Sequence, residues 1–309
     1  MARRRTGWSL NKILGLFEIS SSQYHRWQRE RYLPSDKLLK PYTQLLPEEV
    51  DSVLYYRKLN EHNRMMGYRK FTWKLVDENL VYLSESSVYR ILKRHKLLGR
   101  VFKESLDSDT EYNKKPQYVH HHWHTDLMYL RLCGSHYYIV FMLDGYSRYL
   151  LNYKLLTDMT KQSVELFTQE TIDKYPEASP MIIHDNGVQF ISRDFKEILY
   201  ENDCIDIPTK VRHPETNGKA ERFVRTMRDE SLRVNSPQYY SEAQRVIDKF
   251  VEEYNNRRYH AAIGYLKPVD VFMGIGEEVI AERKAKLKKA RVKRIAVNKE
   301  KRREFAGVC

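Results

Sequence analysis

Cysteine is scarce. Cys133, Cys204 and Cys309 are the only three in 309 residues and lack CxxC spacing. Their scatter argues against a disulfide framework and a cysteine zinc site, and it predicts a reducing compartment. Long apolar runs are missing as well. The run from Ile139 to Leu143 is far too short to span a bilayer, and charges punctuate the first thirty residues, so neither a membrane helix nor a signal peptide is expected. No internal repeat or low-complexity stretch occurs, which removes solenoid architectures. What is present suits a folded chain: 41% hydrophobic and 12% aromatic residues can fill a core. The length predicts about two domains with small modules.

Basic residues outnumber acidic ones 54 to 41, a net charge of +13, but unevenly. Residues 1–31 hold seven Lys and Arg against two Glu, residues 281–304 hold twelve against three, and the 249 residues between them net −1. Two readings of the basic ends stay open. They are arms that grip DNA, each cation on a phosphate releasing counterions, or they are solvated tails.

Near the start, Leu10, Ile13, Leu14 and Phe17 form one apolar stripe, and Tyr24 and Trp27 belong to a second amphipathic stretch. Ser20 or Ser21 is placed to cap the second helix, leaving Ser22, Gln23, His25 and Arg26 facing outward. The pair reads either as a helix-turn-helix that offers Gln23 and Arg26 to DNA or as an ordinary helical hairpin. Arg3, Arg4 and Arg5 favour DNA. A second helical unit has Val50, Val53, Leu54, Arg57 and Leu59 on one helix, residues 68–75 on another and 86–97 on a third. The third turns Val88, Ile91 and Leu92 inward and Arg90, Lys93, Arg94 and Lys96 outward, a basic face for DNA contact or for solvent. Residues 103–117 have almost no apolar periodicity and read as a linker.

From His124 the pattern changes to strands over 126–132, 137–144 and 149–155, followed by a helix over 161–174, a buried strand over 180–184, a helix over 192–200 and a strand over 204–209. This predicts an α/β layer architecture whose first three strands are antiparallel. A polar loop, 212–218, then leads into a helix from about Lys219 to Leu232. Three acids stand out: Asp126 on the first strand, Asp185 just past the fourth, and Glu221 in the first turn of the late helix, with 35 residues between the last two. Acids beside apolar strands need compensation, and two divalent cations bridged by carboxylates provide it for phosphoryl transfer, using water or a DNA 3′-hydroxyl as nucleophile. Each acid also has an ordinary explanation: a strand cap for Asp126, Asn186-Gly187 turn chemistry for Asp185, and an i+4 pair with Arg225 for Glu221.

Together these blocks carry a resemblance. Asp126, the run from Asp185 through Asn186, Gly187, Val188 and Gln189 to Phe190, and the run from His213, Pro214, Glu215, Thr216, Asn217, Gly218, Lys219 and Ala220 to Glu221 and Arg222 are similar to the acid blocks of retroviral-integrase-like DDE recombinases. Within that group the chain resembles insertion-sequence transposases of the second-frame (OrfB) type, the insertion sequence three family. Arg228, seven residues after Glu221, and a closing block from Tyr254 to His260 followed by Gly264, Tyr265 and Pro268 extend the likeness over most of the chain. The first block departs from the family's Trp-x-x-Asp-Ile/Val-Thr form at His124-Thr125 and Met128, and the basic tail lies beyond the family's motif.

The resemblance implies an RNase H-like core, a mixed five-stranded sheet with flanking helices. All-α helix-turn-helix modules precede it and a basic helical tail follows. The expected domains are 1–40, 45–102, a linker at 103–117, the core at 118–275 and the tail at 276–309. It implies DNA strand cleavage and transfer at element ends, with Asp126, Asp185 and Glu221 holding two Mg2+ ions for which Mn2+ substitutes. Implied DNA-contacting residues include His213, Asn217, Lys219, Arg225 and Arg228. It also implies a homodimer or larger assembly on double-stranded DNA, a fusion or partnership with an upstream-frame protein, and a cytoplasmic, nucleoid-associated location in a bacterium. Two alternatives use the same features: an RNase H-like nuclease acting on RNA:DNA hybrid, and a catalytically silent regulator that occupies element ends. The run from His120 to His124 suggests zinc, but no cysteine pair accompanies it, so exposed linker histidines and one at the strand start are expected.

Overall fold

The computed structural model describes residues 7–32, 42–98, 115–209 and 217–307. Arg3, Arg4 and Arg5, nearly all of the expected linker, His213 and Cys309 lie outside the described residues. Helices α1 (Leu10–Leu16), α2 (Ser21–Tyr32), α3 (Pro47–Leu59), α4 (Glu61–Met65), α5 (Tyr68–Asp77) and α6 (Glu85–Arg94) come first. Strands β1 (His122–Leu132), β2 (Ser135–Asp144) and β3 (Leu150–Leu156) follow, then α7 (Lys161–Asp173), β4 (Met181–His184), α8 (Arg193–Glu201) and β5 (Ile205–Pro208). The chain continues through α9 (Gly218–Met227), a π-helical turn (Arg228–Leu232), α10 (Arg233–Asn235), α11 (Tyr240–Asn256), α12 (Pro268–Phe272) and α13 (Gly276–Gly307). None of the described helices is long and apolar enough to cross a membrane.

Two compact units emerge, one from residues up to Val50 and from Lys288 onward, the other from Asp51 to Leu287. In the first, Ser9 and Ser20 cap α1 and α2 by accepting from the Lys12 and Gln23 backbone N–H groups. Within the same unit, Arg294 donates to Glu49 at 2.7 Å, Asn298 donates to the Tyr42 and Gln44 carbonyls, and the Arg302 guanidinium lies 3.9 Å from the Tyr42 ring centre.

The second unit begins with helices built around a buried cation. Arg57 is almost fully buried, donates to the Leu97, Asn63 and Met66 carbonyls, and faces the Phe71 ring. Three carbonyls supply what water otherwise would, so the guanidinium can occupy a core position of an amphipathic helix. On α6, Val88, Ile91 and Leu92 are buried while Arg90, Lys93 and Arg94 are exposed, as the helical period requires, and Lys96, exposed too, lies past the helix end.

The larger part of this unit is a five-stranded mixed sheet in the order β3-β2-β1-β4-β5. β1, β2 and β3 are antiparallel neighbours, whereas β4 runs parallel to β1 and β5 runs parallel to β4. Alternation along β1 and β2 feeds two cores. Met128, Ile139, Phe141 and Leu143 join Ala220, Phe223, Met227, Ile247 and Phe250 from α9 and α11 on one face. Trp123, Val140 and Met142 join Val164, Phe167, Phe195 and Leu199 from α7 and α8 on the other.

Two expectations need correction. The helix expected to run unbroken to Leu232 stops at Met227 and widens into the π-helical turn. Phe223 and Met227 are four residues apart on the buried face, but the next apolar residue, Leu232, comes five later. One extra residue in the turn keeps it on the core side. His122 is not an exposed linker residue. β1 begins four residues before the apolar alternation indicates, pairs His122 with Met181, and buries the ring completely.

Candidate active site

The parallel ladder aligns His122, Trp123 and His124 of β1 with Met181, Ile182 and Ile183 of β4. The ladder ends at His124 and Ile183, two residues before Asp126 on β1 and two before Asp185 on the other strand's line. β4 ends at His184, so Asp185 leaves the sheet just where β1 continues past it. Glu221 reaches the same region from α9. Ala220, Phe223 and Met227 bury one face of that helix against β1 and β2, with the Phe223 and Phe141 rings 4.6 Å apart, and Glu221 lies in its exposed first turn.

Burial and charge act together on Asp126. The Asp126 carboxyl is pushed up to about 6, first by burial and then by the Asp185 and Glu221 carboxylates, against the opposing pull of the Leu127 N–H donated at 2.8 Å. Unpaired like charges near a half-buried carboxyl favour its protonated form. Among the described residues no three His, Cys, Asp or Glu side chains already stand close enough to hold a metal ion. The donor set nevertheless fits magnesium or manganese. All three acids offer hard oxygens, and a cation among them relieves the repulsion that raises Asp126.

Local contacts fix each acid's backbone. Gly187 N–H donates to Asp185 Oδ1 at 3.1 Å, closing a tight turn. A Cβ on Gly187 would lie 3.0 Å from that oxygen and would displace the end of the Gln189 side chain. Asn186 donates to the Thr209 carbonyl at 2.7 Å. The buried His184 ring contacts the Asp185 carbonyl through Nδ1 and Asp206 Oδ1, at 2.7 Å, through Nε2.

Asn217 occupies the position before α9 yet makes no capping bond. Its Nδ2 instead donates to the Thr125 carbonyl at 3.1 Å, and its Oδ1 lies 3.3 Å from His124 Nδ1. The expected DNA contact at Asn217 therefore gives way to an internal one, because the side chain is 4% exposed and both ends of its amide are taken up by β1.

The remaining expected DNA residues are dispersed. Arg26 is exposed and Gln23 half-buried on α2, while Arg90, Lys93 and Arg94 share the outer face of α6. Arg225 and Arg228 are exposed after Glu221, and Lys219 is half-buried beside His124, whose proton affinity it helps lower. The sequence offers Asn186-Gly187 turn chemistry at Asp185, and the Gly187 N–H bond is such a turn, whereas the roles of His124, His184 and Asp206 were not anticipated. Proximity to Asp126 and Asp185 in the chain was a signal for the two histidines, but Asp206 has no such local sign.

Comparison with known proteins places this geometry. Two family models, each described as an integrase core domain, match residues 116–214 and 206–268. Residues 116–268 carry the integrase core domain. Relatives include the transposase for insertion sequence element IS904 of Lactococcus lactis, 22% identical over 58% of this chain and 67% of that protein. The putative transposase InsK for insertion sequence element IS150 of Escherichia coli is 21% identical over 68% of this chain and 78% of its own length. The transposase for insertion sequence element IS629 of Shigella sonnei is 18% identical over 90% and 97%. Among solved structures, the HTLV-2 integrase catalytic core domain in complex with magnesium aligns at 14% identity over 51% of this chain and 99% of that one, with a TM-score of 0.42. The sheet and its flanking helices lie within the matched residues, and the sheet has the five strands and mixed directions that the resemblance implied.

Proposed function

We propose that this integrase-core chain is a DDE-type transposase of the insertion sequence three family, which cuts and joins DNA by metal-dependent phosphoryl transfer. The observation that carries the reading is the topology: β4 lies parallel beside β1, so Asp185 follows a strand next to the one that carries Asp126, and α9 packs on that sheet with Glu221 in its first turn, although the three are separated by nearly a hundred positions. Asp126, Asp185 and Glu221 are the residues that would hold two magnesium ions, with manganese as a substitute. When bound, the ions supply activation of an attacking oxygen and stabilisation of the leaving oxygen. The chain supplies a rigid frame. β1 carries Asp126, Asp185 follows the end of the neighbouring β4, and α9, packed on the sheet, carries Glu221.

Double-stranded DNA is the substrate, both as element ends and as target. Arg225 and Arg228 are exposed on the stretch that carries Glu221, suited to the phosphate backbone near the reacting bond. Arg26 on α2 and Arg90, Lys93 and Arg94 on α6 offer further backbone contacts. Residues 118–275 form the catalytic module in this reading, preceded by helical DNA-binding modules and followed by a basic helix. Two DNA ends must meet, so the working form is a dimer or larger assembly, with an upstream-frame protein as fusion or partner and the bacterial nucleoid as its setting.

The deciding experiment incubates the full chain and its Glu221→Gln variant with inverted-repeat ends and Mg2+. Strand transfer is expected from the wild type and lost in the variant, while end binding persists. Full transfer by the variant would overturn the assignment, and cleavage of RNA:DNA hybrids but not of element ends would favour the nuclease.

A further inference from the structure

Three groups meet behind the acids without belonging to them. The Asn217 amide donates to the Thr125 carbonyl, which fixes the orientation of the amide and turns Oδ1 towards His124 Nδ1. An oxygen there accepts, so Nδ1 carries the ring proton. His124 is fully buried, and burial first, then the Lys219 and Arg148 cations, holds its pKa well below the usual histidine range, keeping the ring neutral. Its Nε2 has no hydrogen-bond partner and packs against Gly145, where a Cβ would come within 2.9 Å. The ring is wedged between the β2–β3 turn and Asn217, and it cannot retreat.

We propose that Asn217 is a positioning residue that pins the Glu221 helix to the Asp126 strand and thereby sets the affinity of the three carboxylates for divalent metal. The inference rests on the proposed function. Thr125 immediately precedes Asp126, and Asn217 stands one helical turn before Glu221. A single side chain therefore joins the backbones that carry two of the three acids. Such a pin has a definite task, because β1 is hydrogen-bonded into the sheet ladder on both sides whereas α9 is not. The apolar contacts of Ala220, Phe223 and Met227 hold the helix down on the sheet, but sliding along its axis costs such contacts little. A directional bond to a carbonyl resists that slide. Asn217 is the helix's link to β1 at the end nearest the acids, and it gives up its capping bond to make it.

The test compares the full-length wild type with Asn217→Ala and Asn217→Ser, using Mn2+ alone as the probe. Free Mn2+ is followed by electron paramagnetic resonance during titration, alongside thermal melting, DNA-end binding without metal, and strand transfer as a function of Mn2+ concentration. Loss of the pin is expected to weaken Mn2+ binding about tenfold, in line with the effect of partners that orient metal ligands. The metal concentration for half-maximal transfer should rise by a similar factor, while end binding stays within twofold and excess Mn2+ restores part of the activity. A folded variant that binds Mn2+ as tightly as wild type overturns the pin and leaves the transposase reading standing. Wild type that binds no Mn2+ and transfers no strand overturns both. Should Asn217→Ala fail to fold, Asn217→Ser decides. Its hydroxyl keeps a polar group at the position but does not reach the Thr125 carbonyl, so wild-type metal affinity in that variant also overturns the proposal.

Discussion

Asn255 holds both polar groups of one residue, Leu150: its Oδ1 accepts from the Leu150 N–H at 2.9 Å and its Nδ2 donates to the Leu150 carbonyl at 3.0 Å. Leu150 opens β3, which is an edge of the sheet, so these groups lack a neighbouring strand. The α11 amide stands in for one. Asn255→Ala leaves a buried donor and a buried acceptor unpaired, each worth about 1–3 kcal/mol, and the expected loss is roughly 2–4 kcal/mol. Urea unfolding measures it, and a loss under about 1 kcal/mol would show that water serves the edge as well as the side chain does.

Protonation of Asp126 gives a stability signature. Its carboxyl is raised from 3.8 to about 6 in the folded chain, burial being the main cause. Between those values the folded state binds the proton more tightly than the unfolded state, so stability rises as pH falls through this window and the charge is a full burden above it. The burden at neutral pH is on the order of 3 kcal/mol. Asp126→Asn keeps an acceptor for Leu127 N–H and removes the charge. In EDTA it is expected to be more stable than wild type by roughly 1–3 kcal/mol at pH 7, with the gain closing by about pH 4. Melting curves across that range check the sign, and a variant no more stable than wild type at pH 7 refutes it.

Arg283 and Asp77 form a two-pronged ion pair at 2.8 and 2.7 Å, 4% and 15% exposed, with the Tyr265 carbonyl accepting from the same guanidinium at 2.9 Å and Trp73 beneath it. This ties the beginning of α13 to α5. Removing one partner strands the other, so Arg283→Ala should cost about 3–5 kcal/mol. Arg283→Lys should recover only part, since an ammonium lacks the planar fork. Limited proteolysis is expected to cut within α3 to α6 first. Equal melting of wild type and the alanine variant would contradict this.

DNA contact by α6 is read from salt dependence. If Arg90, Lys93 and Arg94 each neutralise a phosphate, replacing one by Ala lowers the slope of log affinity against log salt by about 0.9. The loss should be uniform across DNA sequences, as expected for backbone contacts. An unchanged slope in the triple alanine variant would mark this face as solvated.

How much of the molecule was legible in the chain depends on the range of the interaction. Periodicity placed β2 to β5, α7 and α8 within a residue or two, because apolar alternation and the helical stripe are local consequences of burying one face, but it missed the start of β1 and the end of α9 by four and five residues. The three acids could be found in the same way, each by its place at a strand, a strand end or a first helical turn. Asn217 read as an exposed contact and His122 as a linker residue because nothing nearby announces the strand partners that bury them.

Sequence by itself determined the elements, the basic faces and the identity of the acids, since these follow from residue type and spacing along a few turns. Only the tertiary structure decided that β4 lies parallel beside β1, that a π-helical turn returns Leu232 to the core, and which carbonyl Asn217 meets. Those outcomes depend on hydrogen bonds and packing between residues tens of positions apart, and such pairings leave no local period to read.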